Sequence, residues 1–295
     1  MQSFIKPTAA NKAFDILNHV FMVLLCLIML YPVFYLLMLS LTASDVPLTK
    51  GYFIPPHISL ENYRSVLSNR YIGYGFINTL KRTLIGTFLN VTVIILTAYP
   101  LSKKYFPGRR FWTSMIVFTM FFSGGMIPTY LINSKVLNLD NNFWVLILPS
   151  LINTYNMLIA RNFFMGIPEE LTESGRIDGA SELRILFSLI LPVSLPIIAT
   201  LALWSAVSHW NAWFDSMLYF SDPKRQVLQL VLRRIVLEGS DDLMAANAAA
   251  DEMSTINPET IKAATTMVAT IPIILVYPFV QKFFVKGMVV GSLKG

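Results

Sequence analysis

The sequence predicts an all-α membrane protein with six transmembrane helices, and three observations carry that expectation. Of its 295 residues, 55% are hydrophobic and only 14% charged, against about 25% charged in a soluble chain. Charged residues are absent from six windows, 16–44, 83–102, 111–134, 141–160, 185–214 and 263–281, each 19 to 30 residues long. About 20 helical residues at 1.5 Å rise cross a hydrocarbon core about 30 Å thick. Lipid supplies no partners for unpaired backbone groups, so such windows cross as helices.

Span one is expected near 16–42. Its apolar window exceeds the roughly 7–15 residues of a signal peptide, and no small-residue cleavage site follows, so the helix is expected to be retained. Cys26, the single cysteine, lies inside this span and cannot form an intrachain disulfide; it is expected to pack rather than react. The loop at 43–73, with Gly51 and Pro55-Pro56, reads as outward-facing and irregular. Span two follows at 76–100, span three at 111–133 and span four at 142–161.

Orientation follows from the short loops. An even number of spans puts both termini on one side. The 101–110 loop, LSKKYFPGRR, carries four basic residues and no acid, whereas 134–141 sets Lys135 against Asp140. Basic short loops stay in the cytoplasm, so both termini are expected there, although this arrangement leaves only 12 of the 23 basic residues on that side. The net charge of +6 then serves anchoring at lipid headgroups rather than nucleic-acid binding.

Between spans four and five lies a charged interruption, 162–184. Pro168 suits the first turn of a helix, and Glu169, Glu170 and Glu173 suit its positive end. Gly175 can stop that helix in a left-handed conformation, and Asp178 can cap a second short helix running through Ser181 and Leu186. The segment therefore reads as two short surface helices with an elbow at 176–179. Gly179-Ala180 offers a small-residue surface that another protein can approach. A merely solvated or re-entrant loop is the alternative, and the capping signals favour a docking element. Pro192 and Pro196 then kink the start of span five, 190–213.

Beyond span five comes a long outward segment, 215–258. In it the positions Val227, Leu228, Leu230, Val231 and Ile235 suggest a short surface helix. Residues 222–245 are expected either to receive an extracellular protein or to pack on their own chain. Asn257-Pro258-Glu259 resembles a helix start, and span six ends at Phe284.

No G-x-x-x-x-G-K-[ST], H-E-x-x-H or C-x-x-C occurs, and His19, His57 and His209 are scattered, so neither a nucleotide site nor a metal site is expected. Proton-coupled carriers need acids within their spans, and windows two through six lack them. Energy must come from another subunit. In span five, Trp204, Ser208 and Asn211 recur four and three apart and share a helical face. Aromatic rings stack on the apolar faces of sugars, while Asn211 and His209 can bond hydroxyls, so these four residues are the candidate substrate pathway. The competing reading makes Trp210 and Trp213 interfacial belt residues and gives Trp204 plain packing; Asn90 in span two could serve the pathway or bond a neighbouring helix.

The run ESGRIDGAS followed by ILP resembles the EAA loop of ABC importer permeases, E-A-A-x-x-D-G-A and then L-P. Glu173, Ser174 and Gly175 stand where E-A-A would, with two alanines replaced; Asp178, Gly179, Ala180, Leu191 and Pro192 match. AYPLSKKYFPGRR, MIPTYLINSKVLNLDNNFWVLILP, RNFFMGIPEEL and the tail FVQKFFVKGMVVGSLKG are similar to segments of the sugar-permease subfamily. The resemblance covers most of 76–295 and implies a MetI-like fold. It implies an N-terminal segment 1–70, a type-1 transmembrane domain 71–288 with the EAA loop at 169–192, and a tail 289–295. It further implies a multi-pass plasma- or inner-membrane subunit of an oligosaccharide importer, paired with a second permease, two ATPase subunits and an extracellular solute-binding protein. The chain itself would bind no cofactor, ATP-Mg being held by the ATPases. Within the subfamily the chain looks most like the branch handling polysaccharide fragments such as pectin-derived oligosaccharides. The alternatives are the same fold carrying a non-sugar solute, or an ion-coupled secondary transporter or membrane enzyme.

Overall fold

The computed structural model describes residues 9–43, 46–47, 53–238 and 257–292, and these are mostly helical. Helices α1 (Ala9–Ser40) and α3 (Arg70–Ser102) are each long and apolar enough to cross a membrane. Among the described residues the number of crossings rises to as many as five only when each of three sharply bent helix pairs is taken as one span. The bends are where the structure departs from the sequence expectation. Cys26 also differs, lying exposed on α1 rather than packed within the chain.

The window at 111–134 is not one straight rod. Helix α4 (Arg109–Phe121) ends before Ser123-Gly124-Gly125, and α5 (Met126–Leu131) with a following π-turn to Val136 leaves at 113°. Two adjacent glycines each weaken a helix by about 1 kcal/mol. Gly125 takes a φ of +84°, and its N–H donates to the Ser123 hydroxyl at 3.2 Å. The window at 141–160 likewise divides. Short 3-10 turns at Phe143–Leu146 and Leu148–Ser150 precede α6 (Thr154–Met165), bent by 52°. Asn142 and Asn153 restart the helices, their side chains accepting from the N–H groups of Trp144 and Asn156.

Further along, α7 (Glu170–Ile177) and α8 (Glu182–Ile185) lead through a π-turn (Leu186–Ile190) and the three-residue α9 (Leu191–Val193) into α10 (Leu195–Asn211). The bend before α10 is 86°. Pro192 and Pro196 have no N–H to continue the ladder, so the expected kink is present, and the straight part of span five begins at Leu195 rather than 190. Ser194 sits fully buried at the break and donates its hydroxyl to the Ile190 carbonyl at 2.7 Å. The 43–73 loop contains a helix, α2 (Glu61–Ser68); Gly51 lies outside the described residues. After α11 (Phe214–Tyr219) comes α12 (Leu228–Glu238), and Val227, Leu228, Leu230, Val231 and Ile235 are all buried. Residues 239–256 of the 215–258 segment lie outside the description. Helix α13 runs Pro258–Ser292, past Phe284, and Asn257 caps it by accepting from the Glu259 N–H at 3.0 Å.

The chain divides into two compact units, residues 1–69 with 235–268 and residues 70–234 with 269–295. In the first, Asn62 is fully buried and holds three segments together. It donates to the carbonyls of Ser40 and Thr42 at 3.0 and 2.8 Å and accepts from Thr260 at 3.0 Å. In the second, the core lies between α3, α6 and the α8–α10 segment, around Ile94, Ala98, Met157, Ala160, Ile185 and Leu201. Helices in lipid gain little from apolar burial as such, since hydrocarbon tails are equally apolar; close packing and interhelical hydrogen bonds hold them. Ala98, Ala160 and Gly86 provide the close approaches that such packing needs.

Candidate functional site

The elbow after α7 is built by its backbone. Gly179 has a φ of +76°, its N–H donates to the Arg176 carbonyl at 2.9 Å, and the Ala180 N–H donates to the Gly175 carbonyl at 2.9 Å. That pair of bonds is a Schellman motif with Gly179 as the left-handed residue. The sequence expectation placed the left-handed stop at Gly175, one turn too early. Gly175 lies inside α7 and is buried for a different reason. A Cβ there would lie 2.9 Å from both Ile185 Cγ1 and Leu189 Cδ1, so the glycine lets α7 press against α8 and the π-turn. Asp178 likewise closes α7 and does not start the second helix; that cap is Ser181, whose side chain accepts from the Arg184 N–H at 3.4 Å.

Two polar clamps fix the elbow to the 101–110 loop. Lys103 and Thr172 are both buried, and the ammonium donates to the Thr172 hydroxyl at 2.7 Å while lying 5.1 Å from the Tyr99 ring centre. Burial holds the Lys103 pKa below its usual range, opposed by the charges of Glu169 and Glu182. The second clamp crosses the elbow. Arg176 donates to Glu182 Oε1 from Nε at 2.8 Å and pairs with it through Nη2 at 2.7 Å, with its guanidinium 4.2 Å from the Tyr105 ring centre. The Tyr105 hydroxyl completes the triangle by donating to Glu182 Oε2 at 3.1 Å. Desolvation, then the Glu182 charge and that hydrogen bond, push the Tyr105 phenol up to about 12. The hydrogen bond to Glu182 raises the Arg176 pKa.

Clamped in this way, the elbow turns a specific surface outward. Ile177 is 86% exposed at its tip and Leu183 is 62% exposed. Glu173, Ser174, Asp178 and Gly179 are exposed around them, Ala180 is half-buried, and Leu191 and Pro192 lie beyond in α9 with Pro192 exposed. An apolar side chain left exposed on a rigid turn suits a protein contact.

On α10 the four candidate pathway residues separate. Trp204, Ser208 and Asn211 are exposed on one face, whereas His209 is buried at 5% exposure and faces α3. Its Nε2 lies 2.6 Å from Asn90 Oδ1, and its Nδ1 lies 3.4 Å from Arg82 Nε. Asn90 also donates to the carbonyls of Ser150 and Leu151 at 3.0 and 2.8 Å, so it bonds neighbouring segments. Arg82 forms a two-pronged ion pair with Asp215 and donates to the Ala212 carbonyl at 3.3 Å. An imidazole carrying its proton on Nε2 satisfies both ring partners. Trp210 is buried too; its N–H donates to the Ala269 carbonyl at 3.3 Å and its ring meets Phe76 edge-on, which removes it from the interfacial belt. Trp213 is half-buried, with the Arg233 guanidinium 4.0 Å from its ring centre.

The sequence reading missed the clamp residues Lys103, Tyr105, Thr172, Arg176 and Glu182, and the network of Arg82 with Asp215. A buried cation is invisible in a loop that also reads as a lipid anchor. Only the acid-free character of 101–110 hinted that something there needed partners. Among the described residues no group of His, Cys, Asp and Glu is placed to hold a metal ion.

Comparison with known proteins aligns with this architecture. The family model described as binding-protein-dependent transport system inner membrane component matches residues 8–290. The polygalacturonan/rhamnogalacturonan transport system permease protein YtcP of Bacillus subtilis (strain 168) is 41% identical over 97% of this chain and 99% of its own length. Protein LplC of the same organism is 39% identical over 98% and 97%. Among solved structures, a bacterial ABC transporter involved in the import of the acidic polysaccharide alginate is similar at a TM-score of 0.86. It is 30% identical over 94% of this chain and 98% of the matched one.

Proposed function

Because the chain belongs to the binding-protein-dependent transport system inner membrane component family, we propose that it is the permease subunit of an ABC importer for oligosaccharides cut from acidic polysaccharides of the pectin type. The substrate class is supported by the relatives, one named for polygalacturonan and rhamnogalacturonan and one solved in an importer of alginate. On this reading the chain crosses the membrane six times, with both termini cytoplasmic and a MetI-like domain over 71–288 flanked by 1–70 and 289–295. It pairs with a second permease and two ATPase subunits that hold ATP-Mg, and an extracellular binding protein delivers the sugar.

The single observation that carries the mechanism is the clamped Schellman elbow with Ile177 at its tip. Glu173, Ser174, Gly175, Asp178, Gly179 and Ala180 form the coupling surface, with Leu191 and Pro192 linking it to α10. Closure of the ATPase dimer pushes Ile177. The push passes from α7 to α8 through the Gly175 contact and turns α10 about the Pro192–Pro196 break, which alternates access. The exposed α10 face of Trp204, Ser208 and Asn211 lines the sugar path, while His209 holds α10 to α3. Purification of the full chain from the cells that naturally make it tests this. Co-isolation of an ATPase and a second permease, with uptake of pectin oligosaccharides, is the expected result. A lone carrier driven by an ion gradient would overturn it.

A further inference from the structure

The same end of the helix bundle carries a second charged feature with the opposite character. A cleft of about 770 Å3 opens between the 101–110 loop, α4 and α6, and Lys104, Arg109, Arg110 and Arg161 all line it. No carboxylate lines it, and no ion pair among the described residues includes any of the four. Arg161 is fixed by donating from Nε to the Leu101 carbonyl at 2.9 Å, which leaves the outer guanidinium nitrogens for another partner. Among the described residues the Arg109 guanidinium has a 3.8 Å contact to the Met165 sulfur and no carboxylate partner.

The backbone adds to this excess of positive charge. Gly108, at a φ of +67°, opens α4 without a side-chain cap, and the first turn carries Arg109 and Arg110 where helices ordinarily place acids. The buried Thr113 hydroxyl lines the same cleft and has no hydrogen-bond partner among the described residues. Nearby cations are engaged within the chain, Arg176 by the Glu182 carboxylate and Lys103 by the Thr172 hydroxyl and the Tyr99 ring. This cluster is not. Guanidinium groups and an ammonium lining one cleft match the tetrahedral oxygens of a phosphate.

We propose that this cleft binds the phosphate of an anionic phospholipid headgroup in the cytoplasmic leaflet; the assignment rests on the orientation given under Proposed function. A lipid source is favoured over free phosphate because α4 continues from the cleft with Phe111, Trp112 and Met115 exposed. Acyl chains fit such a surface, and tryptophan favours headgroup depth. Tyr105, one residue from Lys104, holds the Glu182 of the elbow clamp, so an occupied cleft would steady the loop on which the coupling elbow leans.

The test is native mass spectrometry of the full-length chain in detergent with added phosphatidylglycerol, phosphatidylcholine or inorganic phosphate. Phosphatidylglycerol should be retained and phosphatidylcholine should not. Lys104→Gln with Arg110→Gln should cut that retention roughly tenfold or more. Both side chains are exposed, so folding should survive, and the charge-keeping pair Lys104→Arg with Arg110→Lys should restore retention. Competition by millimolar inorganic phosphate with no lipid retained would keep the phosphate chemistry and overturn the lipid assignment. Equal retention of both lipids, or retention indifferent to the Gln pair, would overturn the site. Because the readout uses the chain without its ATPase, failure here leaves the coupling proposal to be judged by its own co-isolation test.

Discussion

Gly86 on α3 lies against the imidazole of His209 so closely that one methyl group tests the whole α3–α10 interface. A Cβ added at Gly86 would sit 2.5 Å from Nε2 and 2.7 Å from Cδ2 and Cε1 of His209. Non-bonded heavy atoms prefer about 3.5–4.0 Å, so the ring must retreat by about 1 Å. It cannot retreat freely, since Nε2 is held at 2.6 Å by Asn90 and Nδ1 faces Arg82 at 3.4 Å. Overpacking costs about 1–3 kcal/mol, and an interhelical hydrogen bond within a membrane is worth about 0.6 and at most about 1.7 kcal/mol. Gly86→Ala should therefore cost roughly 2–4 kcal/mol.

The assay is unfolding of the full chain in mixed micelles, run on wild type, Gly86→Ala, His209→Ala and the double variant. With the ring gone, the new methyl has room, so the double variant should be more stable than the sum of the single effects by about 1–3 kcal/mol. A Gly86→Ala protein that unfolds like wild type, or single effects that simply add, would refute the close-packed interface.

Gly179→Asp should insert normally and lose its ATPase: nothing within 4 Å opposes a side chain there, and the left-handed φ costs Asp only about 1–2 kcal/mol. Normal uptake at normal protein level would remove Gly179 from the coupling surface. Trp204→Ala should impair sugar uptake while the complex still assembles; unchanged uptake would return Trp204 to packing. Asp215→Asn should cost about 3–5 kcal/mol because it strands Arg82, whose side chain is 2% exposed. Arg82→Gln should cost less, since the Asp215 side chain is 28% exposed; equal costs in the same unfolding assay would argue against the pair. Tyr105 should titrate at about 12 rather than 10.0, measured as the phenolate absorbance of wild type minus Tyr105→Phe. A raised phenol pKa favours the folded state while the phenol is neutral, so its contribution is complete below pH 10 and is lost between about 10 and 12. A difference titration centred near 10 would dismiss both the desolvation of the phenol and its Glu182 contact.

Much of the architecture could be read from where charges are missing, because a charge-free window reports the length of an apolar segment directly. Whether that segment stays straight is a question of backbone bonding, and hydropathy does not contain it. Pro192 and Pro196 announced one bend because proline removes a donor wherever it stands. Ser123-Gly124-Gly125 gave a subtler signal, since glycine weakens a helix without always ending it, and here the Ser123 hydroxyl also takes the Gly125 N–H. The elbow was readable as a turn, but its glycines exchanged roles. Sequence distinguishes a glycine needed for φ from one needed for close approach only when the packing neighbour is known, and Ile185 and Leu189 reach Gly175 from the following helix and π-turn. His209 was misplaced for a related reason. Helical spacing correctly sets it off the Trp204 face, yet its partners Asn90 and Arg82 are more than a hundred residues away in the chain.

Under the proposed coupling, the order of stiff and soft joints decides what a push on Ile177 can do. The Schellman bonds and the Arg176–Glu182 clamp make the elbow one rigid piece. The Gly175 contact with Ile185 and Leu189 leaves no slack between α7 and the segment that follows. Beyond them, Pro192 and Pro196 remove two ladder donors about one turn apart, so bending concentrates at Ser194 between them, which is pinned by its own hydroxyl. Past the break, α10 is tied to α3 by His209, Asn90 and Arg82. A push therefore cannot be absorbed within the elbow, nor can it slide α10 along α3 without breaking that network. It must rotate α10 and α3 together about Ser194, and the exposed face of Trp204, Ser208 and Asn211 turns with them. A variant that loosens the network, such as Asn90→Ala, should then keep its ATPase bound and still lose transport. If Asn90→Ala transports normally, α10 moves independently of α3 and the rigid-pair stroke is wrong.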